Sequence, residues 1–176
     1  MQFSHLSRSN YQKTLGFTLI ELIVVIILIS IMAVTVLPKF FTSNGFEEFT
    51  YRDELITKLR AIQLRSMQQT TDVMCKVIQV ETAPSAIGLQ ATHIDNDSGL
   101  PDGCGIGYQG VTTTVTVNPK HSVSFTLSEG LTSFNFSNLG KPEGCTPVNA
   151  CTITITVIGE NSPEIEINSE GYIHAI

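Results

Sequence analysis

Hydrophobic and polar positions divide the chain into regions with different periodicities. Residues 17–37, FTLIELIVVIILISIMAVTVL, are apolar almost without interruption. At roughly 1.5 Å per residue they predict a helix about 31 Å long, which matches the hydrocarbon core of a bilayer. Between 46 and 69 the apolar residues recur at helical spacing, with Leu55, Leu59 and Ile62 on one face. We interpret the charged residues of this amphipathic helix as its solvated surface.

The C-terminal part of the chain has a period of two, which is typical of antiparallel strands with one buried face. Apolar residues alternate with Thr or Ser at 115–117, 123–127 and 153–157, and turn-forming residues occupy 118–120 and 160–163. This pattern predicts six to eight short strands. We therefore expect an α+β fold. Its long N-terminal α-helix, hydrophobic in the first half and amphipathic in the second, packs on a C-terminal antiparallel β-sheet or sandwich.

The residues before the apolar segment indicate its orientation. Positions 1–16 are polar and contain Arg8 and Lys13 but no acidic residue. A basic flank keeps the N-terminus in the cytoplasm and sends the rest of the chain across the membrane. A secretory signal peptide would have a shorter apolar region followed by an Ala-x-Ala-like site. An ordinary single-pass anchor explains the length but not Glu21, since a carboxylate at bilayer depth costs roughly 2–3 kcal/mol.

The residues Gly16-Phe17-Thr18-Leu19-Ile20-Glu21 resemble the prepilin motif of type IV pilins and type II secretion pseudopilins. The resemblance rests on a short basic leader, Gly16, Phe17, an apolar segment and Glu21 at a fixed place. It implies that prepilin peptidase cuts between Gly16 and Phe17 and methylates the new N-terminal amine. It also implies a bacterial inner-membrane protein, single-pass, with a cytoplasmic N-terminus and a periplasmic C-terminal domain. Assembly with major and minor pilins at an inner-membrane platform then gives a filament at the cell surface.

Glu21 has two interpretations once Phe17 carries a free, methylated amine. By resemblance to the family, it meets the amine of a neighbouring subunit and fixes the axial register. A slipped helix would leave two unpaired charges in an apolar core. Alternatively, it pairs with Phe17 of its own chain at the i, i+4 spacing and with the helix N-terminus. We favour the first role. The family often has a proline at the depth of Pro38, so we expect Pro38 to kink the helix rather than end it.

These patterns predict four segments of the chain. They are a cleaved leader at 1–16, a transmembrane or filament-core helix at 17–37, the amphipathic half of the same helix at 38–70, and a periplasmic or extracellular β-rich pilin domain at 71–176.

The segment 134–142, FNFSNLGKP, resembles a stretch of the pseudopilin H and minor pilin T group, in which closing strands follow as they do here. Gly171 matches the glycine of the last hairpin in that group. The resemblance implies a minor pilin, a structural or assembly subunit that helps to initiate or modify a filament. The alternatives are a minor pseudopilin of a type II secretion system and a tip-displayed adhesion or DNA-uptake receptor.

Charge argues against nucleic acid as a partner. The chain has a formal net charge of −6 and a pI of about 5.1, so it lacks the basic character of a general nucleic-acid-binding protein. From residue 71 to the C-terminus, 11 acidic residues outnumber three basic ones and give a net charge of −8. Such a surface repels a polyphosphate. We therefore expect no nucleic-acid partner.

All four cysteines follow the apolar segment and fit an oxidising compartment. They allow three pairings. Cys145 and Cys151 bracket a proline-containing loop that suits a local disulfide, which leaves Cys75 to pair with Cys104, and free structural thiols are the alternative. Because the cysteines lack Cys-x-x-Cys spacing and an accompanying histidine cluster, we expect no zinc site.

No residue pattern indicates a catalytic site, a metal or a cofactor. The four histidines are scattered and accompany no recognisable catalytic motif. Residues 95–99, DNDSG, have the composition of a calcium loop, but Gly99 stands fifth instead of sixth and Ile106 replaces the glutamate expected at the twelfth position. We interpret Asp95 and Asp97 as part of a surface turn. A membrane-anchored enzyme is therefore disfavoured.

Overall fold

The structure is a computed structural model that describes residues 17–41, 45–69, 73–147 and 150–176, with side chains in the first range as far as Ala33. The chain forms two compact units, Met1–Thr42 and Ser43–Ile176. The first unit contains helix α1 (Leu19–Phe41) and the second contains helix α2 (Glu47–Gln68). The strands of the second unit are β1 (Val77–Thr82), β2 (Ser85–Ile94), β3 (Pro101–Tyr108), β4 (Thr114–Thr116), β5 (Ser124–Leu127), β6 (Ser133–Phe136), β7 (Pro142–Glu143), β8 (Ile153–Ile158), β9 (Glu164–Ile167) and β10 (Ile173–Ala175).

Helix α1 is mainly apolar, and the side chains from Phe17, just before the helix, to Met32 are exposed in the isolated chain. The helix continues past Pro38 to Phe41, and the predicted kink at Pro38 stays a prediction. In the part of the chain that the structure describes, no helix is both long enough and apolar enough to cross a membrane. The transmembrane role of 17–37 and the continuity of one helix through 38–70 also stay predictions.

Helix α2 places one face against the strands. Its buried positions recur at helical spacing and are Glu48, Leu55, Leu59, Ile62 and Ser66. Acidic residues in the first turn and Arg65 in the last complement the helix dipole. The burial of Glu48 differs from the expectation of a solvated charged surface, because a loop that is distant in sequence covers this residue.

The strands form two antiparallel sheets, so the predicted α+β fold is confirmed. One sheet has the order β3-β2-β1-β6-β7, with β4 also paired to β2, and the other has the order β10-β9-β8-β5. Helix α2 packs against strands of both sheets. The described ranges contain ten strands, more than the predicted six to eight. Among them, β7 and β10 have only two and three residues, which is too short to show alternation in the sequence.

The core lies between α2 and the inner faces of the strands. In β8 the buried Ile153, Ile155 and Val157 alternate with threonine, as the period-two pattern predicts. Phe134 and Phe136 of β6 are buried, with ring centroids 5.7 Å apart in a T-shaped contact. Burial of each such side chain contributes about 1.5–3 kcal/mol. All residues of this core lie in the second unit, which we call the β-rich unit.

Candidate processing and assembly site

The predicted processing site lies just before α1. Gly16 is outside the described residues, and Phe17 is the first described residue. Phe17 is 84% exposed, and it precedes the helix, which begins at Leu19. The Phe17 side of the predicted cleavage bond is therefore accessible in the isolated chain and is not part of the helix.

Thr18 caps the N-terminus of α1. Its Oγ1 accepts a hydrogen bond from the backbone N of Glu21 at 3.3 Å, and its carbonyl oxygen accepts one from the backbone N of Leu22 at 3.2 Å. The first N–H groups of a helix have no partner within the helix, and a threonine at this position satisfies one of them. Sequence reasoning missed this role, although Thr18-Leu19-Ile20-Glu21 has the Thr-x-x-Glu spacing of a capping box.

Glu21 lies in the first turn of α1, where a carboxylate is favoured by the helix dipole. Its side chain is exposed, and the apolar side chains of Ile20 and Leu22 on either side are also exposed. Among the described residues Glu21 has no ion-pair partner. An unpaired charge is costly to bury. When a second apolar surface packs against this part of α1, a positive group on that surface therefore stabilises the carboxylate of Glu21.

The structure joins the cysteines in two pairs. Cys75 is bonded to Cys104 with a Cα–Cα distance of 4.6 Å, and Cys145 is bonded to Cys151 with a Cα–Cα distance of 5.4 Å. The first pair links the segment before β1 to β3, and the second closes the loop between β7 and β8. No free cysteine remains among the described residues. The cysteines in these pairs therefore brace the β-rich unit and leave no reactive thiol.

Asp95 forms a local turn. Its Oδ1 accepts hydrogen bonds from the backbone N of Asp97 at 3.1 Å, and from the backbone N and Oγ of Ser98 at 2.7 and 2.8 Å. The bond from the Ser98 backbone is the main cause that lowers the pKa of Asp95. No group of three or more His, Cys, Asp or Glu side chains within the described ranges is arranged to hold a metal ion.

His121 connects α2 to the segment before β5. Its Nε2 lies 3.1 Å from Oε1 of Glu47, and its Nδ1 lies 2.9 Å from the hydroxyl of Tyr51. The same hydroxyl accepts a hydrogen bond from the backbone N of Asn118 at 3.1 Å. With Nε2–H donated to the carboxylate, Nδ1 accepts from Tyr51, so each of these groups is satisfied. A Glu–His pair of this kind serves catalysis when it activates a nucleophile, but here it joins a helix to a loop.

Comparisons with known proteins agree with the motif and with the fold. A family model described as the prokaryotic N-terminal methylation motif matches residues 12–37. No curated protein matches the chain. A crystal structure of the type IV minor pilin FimU from Pseudomonas aeruginosa PAO1 is similar, with a TM-score of 0.50 and 12% identity, and the match covers 74% of this chain and 88% of that one.

Two further structures have lower scores. A second crystal form of FimU gives a TM-score of 0.47 at 11% identity, covering 72% of this chain and 90% of that one. The minor pseudopilin EpsH from the Type 2 Secretion System of Vibrio cholerae gives 0.44 at 7% identity, covering 71% and 92%. At 12% identity, the similarity to the first FimU structure shows a shared fold. The two structures with lower TM-scores give no additional support. The chain thus combines a prokaryotic N-terminal methylation motif with an α+β fold that it shares with this minor pilin.

Proposed function

We propose that the chain is a minor type IV pilin, a subunit that prepilin peptidase processes and that then enters a pilus, where it helps to initiate or modify the filament. The match of residues 12–37 to the N-terminal methylation motif carries this proposal. The exposed, non-helical position of Phe17 supports cleavage between Gly16 and Phe17. The pilin-type fold supports the role of a structural subunit.

The proposal includes a membrane stage before assembly. Residues 17–37 lie in the inner membrane, with residues 1–16 in the cytoplasm and residues 71–176 in the periplasm. The partners at this stage are prepilin peptidase and the assembly platform. Two disulfides in the β-rich unit fit an oxidising compartment.

In the filament, the partners are other major and minor pilins. The methylated amine of Phe17 is positive after processing, and Glu21 meets the corresponding amine of a neighbouring subunit. The exposed carboxylate on an apolar helix supports this pairing, because the pair is far less costly in an apolar core than either charge alone. Each helix is then held at one axial position relative to its neighbour.

The finer identity rests on resemblance in the sequence. Leader length, cysteines and acidic character resemble those of minor pilin C of mannose-sensitive haemagglutinin pili. A minor pseudopilin of a type II secretion system is the alternative, because pseudopilins carry the same N-terminal motif. Purification of sheared filaments distinguishes the two, since the major subunit that accompanies the chain identifies the system.

The decisive experiment is mass spectrometry of the mature N-terminus. We expect wild-type protein to begin at N-methylated Phe17, and Gly16→Leu to remain full-length in the membrane, because a bulky side chain obstructs approach to the cleaved bond. Leu15→Ala is the matched control in the leader and should be processed normally. Processing of Gly16→Leu at the same bond and at the normal rate would refute the proposal.

A further inference from the structure

Ile106 is the most exposed large apolar side chain in the described parts of the chain. Its relative accessibility is 102%, so the folded protein shields it no more than an extended peptide would. It lies in β3, which is the edge strand of its sheet. Isolated apolar residues are common on protein surfaces, so exposure alone does not indicate a function. The backbone conformation around Ile106 provides the further evidence.

The backbone holds Ile106 at the centre of a bulge. Thr92 of β2 faces Cys104, and Gln90 faces Tyr108, so a single β2 residue lies opposite the three residues Gly105-Ile106-Gly107 of β3. A β-bulge of this kind redirects a side chain away from the regular face of a sheet. Gly107 has a φ of +81°, which lies in the left-handed region where a side chain would be strained. The backbone on the C-terminal side of Ile106 therefore favours the glycine that the sequence has there.

Bonds on both sides keep this bulge rigid. Cys104 is bonded to Cys75, Gln90 Nε2 donates to the carbonyl oxygen of Gly105 at 2.6 Å, and the Tyr108 hydroxyl donates to the carbonyl oxygen of Ala86 at 3.2 Å. Isoleucine is also restricted at χ1 by its β-branch. A side chain that is fixed in advance loses little conformational entropy on binding. Ile106 thus has the properties of a preorganised anchor residue.

Other exposed apolar residues and an exposed acidic residue lie in the same hairpin as Ile106 or next to it. We define the hairpin surface as five exposed residues of β2, β3 and their adjoining turns, namely Ile94, Leu100, Asp102, Ile106 and Val111. His93 and Asp97 are also exposed in this region. Between residues 77 and 119 the sequence contains four acidic residues and no lysine or arginine. The hairpin surface therefore contains the carboxylate of Asp102 and no lysine or arginine.

We propose that the hairpin surface is a docking site for another protein, whose contact region has an apolar pocket for Ile106 beside lysine or arginine residues. A rigid apolar anchor that enters a pocket is the usual centre of an interface, and complementary charge selects the partner. A second copy docked surface to surface would bring like charges together. An anionic membrane would repel the same charges. The proposal holds for a pilus and for a pseudopilus alike.

The test uses the full-length chain in cells, with a photo-crosslinking amino acid in place of Val111, so that Ile106 remains available for substitution. We expect an adduct with a different protein, and the cross-linked peptide of that protein should contain lysine or arginine. Ile106→Ala should lower the adduct yield by about tenfold or more, the effect of removing one buried apolar side chain from an interface. Asp102→Lys should lower it as well, because it reverses a charge on the hairpin surface.

The matched control is Leu139→Ala, which truncates another apolar side chain that is 77% exposed and should leave the yield unchanged. A photo-crosslinker at the exposed Thr152 gives the background. Non-reducing peptide mapping of Cys75–Cys104 checks that each variant keeps its hairpin. An unchanged yield in Ile106→Ala, an adduct only with a second copy or with lipid, or no adduct above the Thr152 background would each overturn the proposal.

Discussion

Oε1 of the buried Glu48 accepts two hydrogen bonds from Asn161, one from the backbone N and one from Nδ2, both at 2.8 Å. The other carboxylate oxygen, Oε2, has no hydrogen-bond partner among the described residues. It lies against Gly159, where an added Cβ would come within 1.7 Å of it. These contacts attach the loop between β8 and β9 to the first turn of α2, and a side chain at position 159 would displace the carboxylate of Glu48.

We predict that Asn161→Ala destabilises the β-rich unit by about 1–3 kcal/mol, because the buried carboxylate of Glu48 loses one of its two donors. Unfolding of the full-length chain by urea in mild detergent measures this change. The matched control is Asn135→Ala, which removes a similar amide–carboxylate bond of 2.7 Å to Glu143 at an exposed site. The control should cost less than about 0.5 kcal/mol, and equal losses in the two variants would contradict the role of burial.

The burial of Glu48 shows where sequence reasoning reaches its limit. Periodicity predicts that Leu55, Leu59 and Ile62 face the core, because helical spacing alone places them on one side of α2. Glu48 lies close to the same face, but its charge favours a solvated interpretation. The residue that satisfies its carboxylate, Asn161, is 113 positions away in the sequence, and no local pattern predicts such a contact.

The start of α1 and the exposed Ile106 differ in the same way. The roles of Thr18 and Glu21 at the start of the helix can be predicted from the sequence, because a capping box is a local pattern with fixed spacing. The exposure of Ile106 cannot be predicted in this way, because it depends on which residues of β2 face β3. The alternating glycines around Ile106 indicate an irregular strand, but the pairing of Thr92 with Cys104 determines where the bulge falls.

A second prediction concerns pH. Desolvation by burial, with a smaller contribution from the charge of Glu81, raises the pKa of Tyr108 from 10.0 to about 12. The same tyrosine in the unfolded chain ionises near 10. Its contribution to stability is therefore fully present below pH 10 and is lost as the pH rises towards 12. We expect the tyrosinate absorbance of the folded chain to show a late step that Tyr108→Phe removes.

The control for this titration is Tyr172→Phe. Tyr172 is 62% exposed, and its substitution should leave the late step in place. If Tyr172→Phe removes the late step and Tyr108→Phe does not, the assignment to Tyr108 is wrong.

A third prediction concerns the disulfides. Non-reducing peptide mapping should recover Cys75 with Cys104 and Cys145 with Cys151. The paired residues are 29 positions apart in the first bond and six in the second. The longer loop restricts the unfolded chain more, so removal of the first pair by double Cys→Ser substitution should cost about 1 kcal/mol more than removal of the second. A peptide that joins Cys75 to Cys151 would contradict the pairing.

The last prediction separates the two interpretations of Glu21. The cap at Thr18 uses the backbone N of Glu21 and not its side chain, so Glu21→Ala keeps this hydrogen bond and removes only the carboxylate. We expect Glu21→Ala to insert and to be processed at Phe17, since loss of a charge does not hinder residence in a bilayer. Incorporation into filaments should fail, because the incoming subunit no longer pairs with a neighbouring amine.

Two further variants make this result specific. Glu21→Gln keeps the shape of the side chain without its charge and should fail as Glu21→Ala does. Thr18→Val removes the capping hydroxyl, which costs about 1 kcal/mol of helix stability, but it keeps the carboxylate and should still enter filaments. The measurement is the amount of each variant in sheared filaments relative to membranes at equal expression. If Thr18→Val is excluded while Glu21→Ala is incorporated normally, Glu21 serves only the start of its own helix, and the register of the filament has another source.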